Sequence, residues 1–283
     1  TIQFAASIIF IITAQITTKQ AEYIFNYNTG WESDNIMHIL LRGENNLSYD
    51  ILKDELSNDP DIQEVTGGRY LPVNFSGFTS VITWPDKNPL DNTGARYNLV
   101  DYNYLNTFEI NLKEGRPFSE EYTNDMQSYI INESLAEIIG TESIVGTDLN
   151  IWGDRPGKII GVTKDFNYQT LKVDIQPMVM MLRNKDSFRY AIVKLNPDYT
   201  LAALDNITKT WESIVPGQPF EYGFIDDNIY LQYNDEDIMG IIMRVVSLIA
   251  LFMTCSGLIG LVAFMTERRK KEIGVRKVHG ASI

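Results

Sequence analysis

The chain has 283 residues, enough for one large domain or two smaller ones with cores of their own. Its formal charge of −13 is unevenly placed: residues 267–283 hold six Lys or Arg against two Asp or Glu, while residues 1–266 hold 18 against 35. So acidic a body argues against nucleic acid as a partner, since its net charge opposes a phosphate backbone. The single cysteine, Cys255, excludes an internal disulfide framework and a Cys-based zinc site.

The N-terminal "TIQFAASIIFIITAQ" carries an apolar stretch, Phe4 to Ala14, that covers about 16 Å as a helix, too short to span a bilayer alone. A signal-peptide core has the same length, but no initiator Met or basic flank precedes it. The preferred assignment is the outer part of a transmembrane helix (1–14). Ile9, Ile12, Ile16 and Tyr23 keep a helical stripe, so a stalk is expected over 15–29.

Short apolar strands then alternate with helical patterns. "NIMHILL" (35–41) reads as a strand, and "LSYDILKDELSND" (47–59) as a helix with Ser48 as N-cap, ended by the Asp59–Pro60 step. "FTSVITW" (78–84) alternates like a half-buried strand, "YNYLNTFEI" (102–110) is a short helix and "GRPF" (115–118) a turn. "SYIINESLAEIIG" (128–140) is a strand running into a helix that Gly140 stops. "GTDLNIWGDRPGK" (146–158) lacks the Gly-Lys-Ser/Thr ending of a phosphate-binding loop and reads as a hairpin-like turn. "KIIGVTKDF" (158–166), "QPMVMMLR" (176–183) and "RYAIVKLN" (189–196) are further strands, and "LAALDNITKTWESIV" (201–215) is an amphipathic helix. "DDNIYLQYNDEDI" (226–238) leads helically towards the next segment.

Val245 to Met265 is 21 residues without a charge, about 31 Å as a helix and so the thickness of a bilayer core. A buried core helix is the alternative, but the basic cluster capping this run favours a membrane span. Ser256, Gly257 and Gly260 are small enough to let another helix approach. Six Lys or Arg crowd positions 268–277, which places the C-terminal end in the cytoplasm and residues of about 15–237 outside it.

The expected fold class is α+β, because strands and helices mix without strict alternation. A mixed α/β extracytoplasmic domain (30–225), either one body or with a second subdomain inserted at about 75–165, sits on two helical stalks (15–29 and 226–240). Transmembrane helices (1–14 and 241–266) flank it, and 267–283 is a cytoplasmic coupling segment.

With both spans placed, the chain resembles one half of an FtsX-like/MacB-like ABC transporter permease. The strongest part is "FMTERRKKEIGVRKVHGAS" (264–282), where Glu272, Ile273, Gly274, Arg276, Lys277, Val278, Gly280, Ala281 and Ser282 match a family segment. Val275 replaces Ile, and His279 departs from an expected apolar residue. "VDYNYLNTFEINLKEGRPFS" (100–119), "GVTKDFNYQTL" (161–171) and "FEYGFIDDNIYLQYNDED" (220–237) look like weaker signatures of the family's periplasmic core domain.

The resemblance implies a multi-pass protein of the cell (inner) membrane with no ATPase of its own. It implies a separate cytoplasmic ABC ATPase as motor, contacted by Glu272, Ile273, Gly274, Val275, Arg276, Lys277, Val278, Gly280, Ala281 and Ser282. A second permease half or copy, a periplasmic adaptor or substrate protein, and membrane lipid complete the expected partners. Independently of any family, this Gly-punctuated amphipathic stretch suits a short helix on lipid headgroups or in a protein groove. A solvated positive flank serving topology alone is the plainer alternative.

No catalytic residue, cofactor site or metal site is assigned. His38 and His279 fall on opposite sides of the expected membrane and cannot share a site. The acidic groups Asp226/Asp227 and Asp235/Glu236/Asp237 lack EF-hand spacing and read as solvated stalk charges. Tyr102, Tyr104, Tyr168, Tyr222, Tyr230 and Tyr233 read as packing residues. The expected function is therefore a non-catalytic permease subunit that passes ATP-driven motion to its outer domain. The rivals are a membrane-anchored sensory receptor and an FtsX-like regulator of a cell-wall hydrolase.

Overall fold

The computed structural model describes residues 2–25, 27–41, 48–141, 143–199 and 201–278. The chain divides into two compact units, residues 28–232 and residues 1–27 together with 233–283. Its helices are α1 (Ile2–Phe25), α2 (Tyr49–Leu56), α3 (Tyr104–Thr107), α4 (Glu133–Ile139), α5 (Leu201–Ile214) and α6 (Ile225–Val278). Its strands are β1 (Ile36–Leu40), β2 (Ile62–Gly68), β3 (Phe78–Thr79), β4 (Ile82–Thr83), β5 (Ala95–Val100), β6 (Leu112–Gly115), β7 (Ser128–Asn132), β8 (Asp148–Ile151), β9 (Arg155–Thr163), β10 (Met178–Leu182), β11 (Tyr190–Leu195) and β12 (Tyr222–Phe224).

In residues 28–232 the strands form one sheet in the order β12-β1-β11-β2-β5-β10-β7-β9-β8-β4, with β3 on β5 and β6 on β9. Pairs β10/β5 and β7/β9 are parallel and the other pairs antiparallel, so the fold is the mixed α+β arrangement expected. The two-residue side-chain period sorts each strand between two faces. On β10, Met178, Met180 and Leu182 face one way, and Val179 and Met181 the other. Both sets are buried, which is why "MVMML" is apolar without a break.

Helices cover one face in two places. α2 and α5 bring Leu52, Leu56, Ile207 and Trp211 onto Met37, Ile39, Val65 and Val193. Leu135 and Ile139 of α4 pack with Ile131, Ile159, Val179 and Met181. The opposite face holds an aromatic cluster of Trp31, Phe75, Tyr104, Phe108, Phe166 and Tyr168 on Met178, Met180 and Ile192. Each large apolar side chain removed from water here contributes about 1.5–3 kcal/mol.

α4 begins and ends on local signals. Asn132, in extended backbone, accepts a 3.2 Å bond from the Leu135 amide, and Gly140 ends the helix at φ 68°. Ser48 stands at the N-cap of α2 but makes no capping bond. Its backbone is helical (φ −86°, ψ −3°) rather than extended, so its hydroxyl is turned away from the first free amides. The helix expected over 102–110 is only the four residues of α3, stopped as Glu109 turns to φ 51°. "FTSVITW" splits into β3 and β4, because the Thr79 hydroxyl accepts from the Val81 amide and turns the chain. The 146–158 loop is the β8/β9 hairpin, paired antiparallel from Ile151↔Arg155.

In the other unit, Ile238–Lys270 of α6 is, among the described residues, the one stretch long and apolar enough to cross a membrane. Leu248, Phe252 and Ile259 there are 67%, 74% and 70% exposed, an apolar surface that lipid rather than water suits. At 54 residues α6 is about 81 Å long, far more than a bilayer needs.

Candidate functional site

Two chain segments lead into the β-sheet unit, and both are anchored in the aromatic cluster. After α1 the chain turns at Gly30, whose φ is 87° and whose missing Cβ would lie 2.9 Å from Phe166 Cβ. Only glycine fits that close approach without strain. The next residue, Trp31, is buried at 8% exposure, edge-on to Phe108 with ring centroids 5.9 Å apart. Its indole N–H donates to the Asn167 carbonyl at 2.6 Å, and the Asn167 amide donates back to the Thr29 carbonyl at 2.7 Å. The Glu32 amide adds a 2.9 Å bond to the Phe108 carbonyl.

The second lead is β12 and the start of α6. β12 pairs β1 through Met37↔Phe224 and His38↔Gly223. Ile225 is fully buried and Ile229 partly so, both against the same cluster as Trp31 and Phe166. His38 lies beneath this junction, with Nδ1 3.4 Å from Asn228 Nδ2 and its ring edge-on to Tyr190. Burial lowers its pKa to about 4. Burial also raises the Asp226 carboxyl above the usual range, with Asp34 and Asp227 adding to the rise and a Ser33 hydrogen bond opposing it.

The three weaker sequence signatures meet here. Phe108 comes from the first, Phe166 and Tyr168 from the second and Ile225 from the third. Their neighbours are structural as well. Asp165 accepts from the Asn132 amide group at 2.7 Å and from the Ser134 hydroxyl at 2.6 Å, tying the loop after β9 to the start of α4. Asp101 accepts from the Tyr49 hydroxyl at 2.5 Å and from Lys53 at 2.8 Å. Arg116 holds the buried Asp125 with two 2.7 Å bonds, which raise the guanidinium pKa. Trp31 belongs to none of these signatures. Its only sequence signal was a large aromatic just beyond a stalk-like helix.

The expected helix-packing residues Ser256, Gly257 and Gly260 are exposed, and nothing lies within 4 Å of a Cβ added at Gly260. Among the described residues, Gly240, Ser247 and Thr254 are buried small positions on α6, spaced by seven and so on one face. A Cβ at Gly240 would sit 3.6 Å from Thr17 of α1. Ile9, Ile12, Ile16 and Tyr23 form an exposed stripe on α1.

Glu272, Ile273, Gly274, Val275, Arg276, Lys277 and Val278 continue the α6 backbone, while Gly280, Ala281, Ser282 and His279 lie outside the described residues. Tyr104 and Tyr168 are core, Tyr222 and Tyr230 are about half exposed, and the side chain of Tyr233 lies outside the described ones. Among the described residues no group of three or more His, Cys, Asp or Glu is placed to hold a metal ion.

The periplasmic region of MacB from Actinobacillus actinomycetemcomitans is similar at 17% identity over 75% of this chain and 97% of its own, with a TM-score of 0.49. A domain of a permease protein from Porphyromonas gingivalis matches at 18% identity over 68% and 89%, TM-score 0.48. The extracellular domain of the noncanonical ABC-type transporter YknZ from Gram-positive bacteria matches at 14% over 67% and 98%, TM-score 0.43. No curated protein sequence matches the chain. The profile of the MacB-like periplasmic core domain matches residues 4–210, most of the sequence. The chain therefore belongs to the MacB-like periplasmic core domain family of ABC-type transporter permeases.

Proposed function

We propose that this permease is a non-catalytic transmission subunit: a separate cytoplasmic ATPase supplies the motion, and the membrane helices pass it to the outer domain. The observation that carries this reading is the shared anchorage of both leads, through Trp31 and Ile36 on one and Ile225 and Ile229 on the other, in one packed aromatic cluster. Close-packed interiors transmit displacement instead of absorbing it, so movement of either lead would reach the sheet through Trp31, Phe166 and Ile225.

In this reading Glu272 to Val278, with Gly280, Ala281 and Ser282, dock on the ATPase at the cytoplasmic face of the inner membrane. Ser256, Gly257 and Gly260 meet a helix from a second permease half or copy. A periplasmic adaptor or substrate protein would meet the outer domain. Residues 75–165 would move as a subdomain, since many residues packed around α4 come from that stretch.

The test is the ATPase activity of the reconstituted complex. Arg276→Glu combined with Val278→Asp should lower ATPase stimulation while membrane insertion stays intact, and unchanged coupling would sink the docking assignment. A substrate-export assay on the same complex separates a transporter from a regulator of a cell-wall hydrolase. A kinase-type signalling output would favour the receptor reading.

A further inference from the structure

Two arginines in the β-sheet unit, Arg183 and Arg155, border one cavity, and among the described residues neither has a carboxylate partner. Lys53, Lys113, Arg116, Lys158, Lys185, Lys194 and Lys209 each pair with a carboxylate. Among the described residues Arg183, at the end of β10, has no such pair, and neither has Arg155 at the start of β9.

Both line a cavity of about 240 Å³ together with Gln127, Tyr129, Asp154 and Pro156, and Arg183 also borders a larger cavity of about 510 Å³. Burial, and after it the charge of Arg155, pull the Arg183 pKa down. A guanidinium does not lose its proton in a protein, so this marks a cation held half out of water against a like charge.

Arg183 has one evident structural task. Its Nη1 donates to the Met126 carbonyl at 3.1 Å and to the Leu182 carbonyl at 2.8 Å, stapling β10 to the turn before β7. Nη2 reaches only the Met181 thioether, 3.7 Å away. That leaves Nε–H and one Nη2–H without an acceptor among the described residues, the pair of donors whose spacing matches two oxygens of one anion. Asp154 lines the cavity but is exposed and, among the described residues, forms no ion pair with either arginine. Arg155 is exposed and its guanidinium lies 5.3 Å from the Trp152 ring centroid, which fixes its direction without neutralising it.

We propose that Arg183 and Arg155 form a binding site for a compact oxyanion, a carboxylate or a phosphate group, in the 240 Å³ cavity between β9, β10 and the 125–127 turn. The anion takes the unspent donors of Arg183 and relieves the repulsion between the two cations. The neighbouring 510 Å³ cavity is lined also by Asp50, Asp54, Asp101, Glu120 and Asp186, so any part of the ligand that extends into it from Arg183 is neutral or cationic.

The experiment is thermal unfolding of the full chain in detergent micelles, titrated separately with inorganic phosphate and with acetate, at ionic strength held constant with chloride. A saturable rise in the unfolding midpoint with either anion is expected, and the arm that saturates at lower concentration identifies the group. Arg183→Gln should abolish the rise, and Arg155→Gln should raise the half-saturating concentration about tenfold, the usual size of one lost charge-assisted bond. Arg155 is exposed, so its variant folds and decides the matter alone if Arg183→Gln does not. No saturation with either anion, or an unchanged half-saturation in Arg155→Gln, overturns the proposal.

Discussion

The indole N–H of Trp31 donates a 2.6 Å hydrogen bond to the carbonyl of Asn167, 136 residues further along the chain. It ties the segment leaving the first helix to the loop after β9. Trp31→Ala removes a large buried ring and should cost about 3–5 kcal/mol of outer-domain stability, whereas Trp31→Phe keeps most of the packing and should cost about 1–2 kcal/mol. Urea unfolding checks the ranking. If the cluster transmits motion, Trp31→Ala in the reconstituted complex also separates ATP hydrolysis from movement of the outer domain.

Gly30 and Gly217 share a left-handed backbone but not their surroundings. A methyl added at Gly30, where φ is 87°, would meet Phe166 at 2.9 Å, whereas one added at Gly217, where φ is 81°, has nothing within 4 Å. Gly217→Ala should therefore cost only the backbone strain, about 1 kcal/mol. Gly30→Ala must also displace Phe166, and should cost about 1–3 kcal/mol more. Equal costs for the two variants, read from urea midpoints, would contradict the close approach at Gly30.

His38 makes stability depend on pH in a defined direction. The unfolded chain takes up this proton near pH 6.5 and the folded one only near 4, because burial disfavours the charged ring. Between those values the unfolded state binds more protons, so stability falls as pH falls, by at most about 3 kcal/mol from this group. Above pH 6.5 it contributes no slope. His38→Gln should flatten the wild-type curve between pH 6.5 and 4, read as the difference between the two urea midpoints at each pH.

The contact between the two helices of the other unit can be tested by crosslinking. In a Cys255→Ser background, which removes the single cysteine, Thr17→Cys with Gly240→Cys should form a disulfide readily, since a Cβ at position 240 lies 3.6 Å from Thr17. Thr17→Cys with Gly260→Cys should not, because about 20 helical residues place the second site about 30 Å further along α6. Crosslinking of the second pair alone would mean a different register for the two helices.

Signals that act within a few residues were legible before any coordinates. A helix stop at Gly140, the unbroken apolar run of β10, the amphipathic α5 and the uncharged 21 residues from Val245 all depend on neighbours in the chain. The charge contrast at residue 267 is likewise a property of the linear sequence.

What tertiary structure alone decided lies between distant residues. β2 escapes detection because it ends in Gly67 and Gly68, which locally read as a break. Those glycines are strand residues because they pair with Ala191 and Tyr190 of β11, and they are glycines because a Cβ would run into Phe188 at 2.4 Å or Tyr104 at 2.8 Å. β5 is equally mute, although it joins the two parts of the sheet through β2 and β10. The meeting of Trp31, Phe108, Phe166 and Ile225, and the placing of Arg183 and Arg155 on one cavity, have no local signature. Periodicity and capping report the energies of neighbouring residues, whereas these contacts exist only once the chain has closed long loops and brought remote segments within reach.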